Sequence, residues 1–516
     1  MTLVGISPTG AESGAPRDSS GRRLAAGIFV GRERELQDLQ LNMEEALAGR
    51  GRLVLVAGEP GIGKTSIAHE LAAHARSRGL QVLWGRCDDS GGAPAYWPWV
   101  QIIRSFVSDA APLDVTAAMG PGAAYIAEIV PDVRDWLLHL PPRPSLDLEQ
   151  ARFRLFDSVT TFFRNAAKEH GLVVMIDDLH EADKPSLLLL EFLTRQIAEA
   201  HLMVVCLYRD VEVGREHPLF PTLGELSREP VTSRLRLRGL GEREVGQYVE
   251  LTTGREPPAG LVEAVYRRTD GNPFFVMEIV RLLHEERTLE HAERVRSWGT
   301  AIPEGVRAAI VRRLDLLSPE CNRLLRVAAV IGREFGIDVL ERVSEFSRER
   351  LLEVLDEAIG AGIITESQGW RYLFSHALVR DALYEDLTTT RRLRLHRQVG
   401  DVLEALHAAR PEPYLAEFAH HFSAAAAQGG DVSKAIGYSV RAGERAAVLM
   451  AHEDAARHYE LALRLLELSG ASDSGRLLDL LLMLSDSLWR AGEIERAKAV
   501  SLHAVEMARN LNASEL

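Results

Sequence analysis

Cysteine is almost missing from this chain of 516 residues, which has only Cys87, Cys206 and Cys321. They are widely separated, odd in number and without metal spacing, which excludes a disulfide framework or a thiolate metal centre. Cys206 sits in an apolar run and reads as a small buried hydrophobe. A reduced, cytoplasmic setting is expected. Long apolar runs are missing too. Leu187-Leu188-Leu189-Leu190 is stopped by Glu191, far short of the ~18 residues that a membrane-spanning helix needs. Residues 1–27 are rich in Gly, Ser and Pro and lack the apolar centre of a signal peptide, so they read as a disordered lead-in. Positive charge is in deficit, with 60 Lys and Arg against 74 Asp and Glu and a net charge of −14. That balance disfavours a chain that grips duplex nucleic acid along its length. The local exception, Arg391-Arg392-Leu393-Arg394-Leu395-His396-Arg397, reads as a solvated helix face or a docking surface for acidic neighbours, with contact to phosphates as the alternative.

What is present is ordinary globular composition, 46 % hydrophobic and 26 % charged, in a chain long enough for about three domains. One segment stands out. The apolar run Leu53–Ala57 leads into Gly58-Glu59-Pro60-Gly61-Ile62-Gly63-Lys64-Thr65-Ser66, and a helical pattern with Ile67, Ala68, Leu71, Ala72 and Ala75 on one face follows. A loop free of bulky side chains lets backbone N–H groups curl around a phosphate chain, and the next helix aims its positive end at the same anion. Lys64 reaches the β- and γ-phosphates and the Thr65 hydroxyl ligates Mg²⁺. The segment is therefore read as the phosphate loop of an ATP or GTP site.

A second burst, Leu172-Val173-Val174-Met175-Ile176-Asp177-Asp178, has the unbroken apolar character of a central parallel strand. Carboxylates at the end of such a strand fall in the ligand crevice of an open α/β sheet. Asp177 is expected to hold Mg²⁺ opposite Thr65, and Asp178 to position or deprotonate the attacking water. Alone, the two would pass for caps of a helix starting near Lys184. The run Leu202–Tyr208 ends in Arg209, which either senses the γ-phosphate or makes a structural ion pair with Asp177, Asp178 or Asp210. Gln81-Val82-Leu83-Trp84 and Leu235-Arg236-Leu237 supply further strands. The aromatic stretch 91–99 is expected to pack on the sheet rather than touch ligand.

Four features in order, Phe29-Val30-Gly31-Arg32-Glu33-Arg34-Glu35-Leu36, Asp177-Asp178-Leu179-His180-Glu181-Ala182-Asp183, Arg209 and Gly271-Asn272-Pro273-Phe274-Phe275, join the phosphate loop. Together they resemble the signal-transduction ATPases with numerous domains (STAND), within the AAA-like P-loop ATPases. More narrowly, residues 28–510 resemble the ATPase, winged-helix and helical-repeat portion of large LuxR-type transcriptional regulators. The resemblance implies an α/β P-loop core with a parallel sheet flanked by helices at 28–240. A helical lid follows at 241–300, a winged helix with connecting helices at 301–400, and tetratricopeptide-like repeats at 401–516.

The resemblance also implies that Val30, Gly31 and Arg32 lie near adenine and ribose, and that Pro273 abuts the base and favours ATP. Arg209 would be the first sensor. No second sensor or arginine finger is evident after the lid, which suits a slow switch with weak ATPase activity. His376, in Tyr372-Leu373-Phe374-Ser375-His376-Ala377-Leu378, either senses nucleotide or packs and caps a helix.

About five helices are expected from Tyr414 onward, with small residues at repeat spacing such as Ala455, Tyr459 and Ala462. They are read as a surface for an inducer or regulatory protein, or as a spacer. Ligand-driven homo-oligomerisation is expected, with no membrane contact. Ala513-Ser514-Glu515-Leu516 end the sequence without a polar cap. A helix-turn-helix of the LuxR type is not in it, so DNA would be read only through a module outside this chain, or regulation would work by contacts alone.

Overall fold

The computed structural model describes residues 28–88, 92–137, 148–258, 260–285, 314, 317–344, 346–367, 370–426, 432–469 and 473–510. The lead-in 1–27, Gly91, the lid residues 286–300, the helix start at 302–306 and the last residues 513–516 lie outside them. Five strands, β1 (Arg52–Ala57), β2 (Gln81–Arg86), β3 (Leu172–Asp177), β4 (Leu202–Tyr208) and β5 (Thr232–Arg236), form one sheet in the order β2-β3-β4-β1-β5. All four pairings are parallel.

Alternation along the strands builds two cores from one run. Leu53, Leu55, Val174, Ile176, Val204 and Cys206 face one side. Val54, Val56, Val173, Met175, Met203 and Val205 face the other. The helices Glu33–Leu47 and Lys64–Ser77 cover the second face through Leu39, Met43, Ile67 and Leu71. Trp97–Asp109, Leu148–Ala166 and Lys184–Thr194 cover the first. Tyr96 and Trp99 are buried there, and Trp99 Nε1 donates to the Ser186 carbonyl at 3.2 Å. Covered on both sides, β3 and β4 are buried throughout, which is why they read as unbroken apolar runs.

The fifth strand departs from expectation. It begins at Thr232, opposite Leu53 of β1, and ends at Arg236. As a half-exposed edge strand it carries no apolar run to mark it. Leu237 instead closes against the base of the phosphate loop, where its N–H donates to the Ala57 carbonyl at 2.9 Å.

Helices Glu242–Thr253, Leu261–Thr269 and Pro273–Glu285 follow and share a small core that includes Val245, Leu261 and Val276. Helices Pro319–Ile331, Ile337–Ser344 and Arg348–Gly360 then pack with a three-stranded antiparallel sheet, β6 (Glu334–Gly336), β7 (Ile364–Ser367) and β8 (Arg371–Phe374), in the order β6-β8-β7. After Ala377–Glu385 and Thr389–Leu406 come Leu415–Ala426, Val432–Val448, His452–Leu468, Ser474–Arg490 and Ile494–Asn510. From Thr389–Leu406 to Ile494–Asn510 consecutive helices pack on one another, in five pairs, as a stack of helical repeats. Gly443 marks a close crossing, since a Cβ there would lie 2.6 Å from Tyr459. Arg391, Arg394 and Arg397 sit on the exposed face of Thr389–Leu406 and His396 on its buried face.

The stack returns to the α/β core. Arg152 pairs with Glu453 at 3.4 Å, and Arg445 donates to the Glu128 carbonyl at 3.0 Å. Among the described residues no helix is long and apolar enough to cross a membrane.

Candidate nucleotide site

The loop between β1 and the helix Lys64–Ser77 turns through Gly61 and Gly63, at φ +77° and +96°. These are left-handed conformations that side chains with a Cβ rarely adopt. Lys64 Nζ lies within the curve and donates to the carbonyls of Gly58 and Glu59 at 2.8 and 2.9 Å. Burial, then the Arg209 charge, lower its pKa to about 8 against the pull of Asp178 and Asp177. Thr65 Oγ1 donates to Asp177 Oδ2 at 3.3 Å. Lysine, hydroxyl and strand-end carboxylate therefore converge at the carboxyl edge of β1 and β3. This oxygen-rich pair beside a lysine suits a hard cation bridged to phosphate. Ser66 is exposed on the first turn of the same helix.

Asp178 takes φ +54° and is buried beside Asp177. Its Oδ2 accepts a hydrogen bond from Arg333 Nη1, an ion pair that joins the α/β core to the turn before β6. Arg333 had no signal in the sequence, being 155 positions from its partner. It stands after the lid, where the sequence shows no evident second sensor or arginine finger. Arg209 ends β4 as expected, but its guanidinium pairs with Glu212 at 2.7 Å. Asp177 is paired instead with Arg86, at 3.2 Å. Arg86 ends β2 as Arg209 ends β4, and that parallel was the sequence signal for it. His180 is buried and its pKa falls to about 4, through burial first and Arg209 second.

The lid closes on the loop from the other side. Asn272 Nδ2 donates to the Pro60 carbonyl at 3.0 Å, and Phe274 N–H to the Gly61 carbonyl at 3.2 Å. Pro273 lies beside Gly63, 3.9 Å from where a Cβ would stand. Ile62 is buried below the loop. Val30 packs against the lid core, and Gly31, at φ +64°, has Glu244 where a Cβ would point. Arg32 is buried and donates to the carbonyls of Ile62 and Arg238 and to Glu35 at 3.0 Å. Its guanidinium thereby ties the chain before β1 to the loop.

His376 does two things at once. It caps the helix Ala377–Glu385 by accepting from Leu378 N–H at 3.2 Å, and it stacks on Phe274 with ring centroids 4.1 Å apart. Burial, then Arg333, Arg209 and Lys64, bring its pKa to about 3, so the ring is neutral.

Residues 28–205 match the family model described as AAA ATPase domain. An uncharacterized protein of Rhizobium meliloti (strain 1021) is 24 % identical over 95 % of this chain and 48 % of its own length. A hybrid signal transduction histidine kinase G of Dictyostelium discoideum is 22 % identical over 68 % of this chain and 12 % of its own length. The chain thus spans about half of the first relative and about an eighth of the second. Among solved structures, a STAND protein with a tetratricopeptide repeat sensor from Pyrococcus horikoshii is similar with a TM-score of 0.49 and 16 % identity, over 95 % of this chain and 66 % of that one.

Proposed function

Taking the AAA ATPase domain matched by residues 28–205 as premise, we propose that the chain is a signal-transduction switch of the STAND kind, which binds ATP with Mg²⁺ and hydrolyses it slowly. The phosphate loop and Lys64 hold the triphosphate, and Thr65 and Asp177 hold the ion, which neutralises charge developing on the transferred group. Asp178 orients the attacking water. Residues 28–240 are the core, 241–300 the lid, 301–400 a winged helix with its connecting helices, and 401–516 the repeats that take an inducer or regulatory protein. As in LuxR-type regulators, the output is transcriptional, through oligomerisation and a DNA-reading module outside this chain.

The observation that carries the reading is the ion pair between Asp178 and Arg333. A carboxylate oxygen occupied by a guanidinium from outside the core is not free to orient water. Arg209, turned onto Glu212, is likewise away from its sensing role. Both features describe a resting state that nucleotide and effector would release.

The test is steady-state phosphate release by the full chain with Mg-ATP, with Lys64→Ala as the blank. Arg333→Gln is expected to raise the rate about tenfold, equivalent to ~1.4 kcal/mol of barrier. A slower Arg333→Gln would make Arg333 a transition-state arginine and overturn the resting-state reading. Turnover of many ATP per minute by the wild type would favour a remodelling ATPase. No hydrolysis by either protein would favour a nucleotide-bound scaffold.

A further inference from the structure

A cavity of about 460 Å³ opens beside Asp178, between the α/β core, the β6–β8 unit and the first repeat helices. That is the size of a small-molecule site. Its lining is dense in charge, and the cations are already engaged. At the core end, Arg86 pairs with Asp177 at 3.2 Å, Arg209 with Glu212 at 2.7 Å, and Arg333 with Asp178. Farther out, Arg371 pairs with Glu334, Arg104 with Asp132 at 2.6 Å, and Arg445 donates to the Glu128 carbonyl at 3.0 Å.

Glu417, on the repeat helix Leu415–Ala426, is the opposite case. It lines the cavity half-buried, and among the described residues it has no hydrogen bond and no ion pair. Burial, then the Asp88 carboxylate across the cavity, push its pKa up to about 7, with only a partial offset from Arg371. Trp97, Phe335 and Tyr414 line the same cavity, with Phe335 buried, the Arg104 guanidinium over Trp97 at 5.8 Å and His407 stacked on Tyr414 at 3.5 Å. A carboxylate without a partner in a cavity of this size, ionising fully when a cation reaches it, is the environment that recognises an ammonium or guanidinium group on an apolar body.

We propose that this cavity is a binding site for a small organic cation, an amine or guanidinium compound whose charged head pairs with Glu417. Arg333 and Glu417 stand on different walls, so an occupant touches both the repeats and the element that holds Asp178. Control of hydrolysis by that occupant rests on the switch reading, whereas the binding does not.

Isothermal titration of the nucleotide-free full chain tests it, with tyramine, agmatine, choline and spermidine as probes and 4-ethylphenol as the neutral counterpart of tyramine. At least one cation is expected to saturate the protein, 4-ethylphenol to bind at least tenfold more weakly than tyramine, and Glu417→Gln to weaken the bound cation about tenfold. Arg371→Gln, which leaves Glu417 in place and removes a nearby cation, is expected to tighten it severalfold. The proposal is overturned if no cation saturates at millimolar concentration or if Glu417→Gln binds as wild type. Should Glu417→Gln not fold, an Arg371→Gln affinity equal to or weaker than wild type overturns it as well. A cation that binds through Glu417 yet leaves phosphate release unchanged would defeat the switch reading and leave the site standing.

Discussion

Gly61→Ala puts the coupling between lid and phosphate loop to a quantitative test. Gly61 takes φ +77°, and a Cβ there would lie 2.7 Å from Phe274 Cβ. The left-handed conformation costs alanine about 1–2 kcal/mol. The steric overlap adds about 1–3 kcal/mol, as overpacking does where neighbours cannot retreat. Phe274 is poorly placed to retreat. Its N–H bonds to the Gly61 carbonyl at 3.2 Å, its ring stacks on His376, and its neighbour Asn272 bonds to Pro60. Gly79 is the control, since it takes φ +81° at the far end of the same helix and has nothing within 4 Å of a Cβ position. Gly79→Ala should therefore pay only the conformational cost. Calorimetry of the two variants should show the transition of the ATPase region displaced about 2–12 °C farther by Gly61→Ala than by Gly79→Ala, from the extra overlap at about 2–4 °C per kcal/mol for a region of this size. Equal displacements would mean that the lid does not crowd the loop and would refute the packing argument.

Two further outcomes follow from the titrating groups. Because Lys64 titrates near pH 8, about three-quarters of it is neutral at pH 8.5, and a bound triphosphate would restore its charge. Nucleotide binding at pH 8.5 should take up about 0.7 of a proton through this group and none at pH 6.5, read by calorimetry in buffers of different ionisation enthalpy; Lys64→Ala should abolish the uptake. Asp183 caps the helix Lys184–Thr194 through Ser186 N–H at 2.8 Å and Ser186 Oγ at 2.6 Å, and its pKa is raised to about 7 by burial and then Asp454. Asp183→Ala should cost about 1–2 kcal/mol as a lost cap, whereas Asp183→Asn keeps an acceptor, relieves the like charge and should cost less; equal losses in urea unfolding would reject the capping assignment.

The legible parts of this protein are those in which the chemistry is contiguous. Strand, glycine turn and helix at 53–75 announce themselves because one short segment must supply apolar alternation, left-handed turns and a lysine together. β3 and β4 were readable because burial on both faces leaves the run apolar up to the terminal Asp177 of β3. β5 was misplaced by three residues at its start and one at its end, since an edge strand is defined by its partner β1 rather than by its own composition. His376 could not be decided between packing and sensing from its neighbours in sequence. In the fold it caps a helix and touches the lid at once.

By itself, then, the order of residues determined the phosphate loop, the acid pair at the end of β3 and the cation at the end of β4, through interactions that reach only a few positions along the chain. Tertiary structure alone decided what those groups face. Arg333 reaches Asp178 across 155 positions, Phe274 crowds Gly61 from another unit, and Glu417 meets Asp88 over a shared cavity. Each of these depends on how separately folded elements dock, and an arginine or glutamate on the surface of one element carries no local mark of the partner that packing will bring to it.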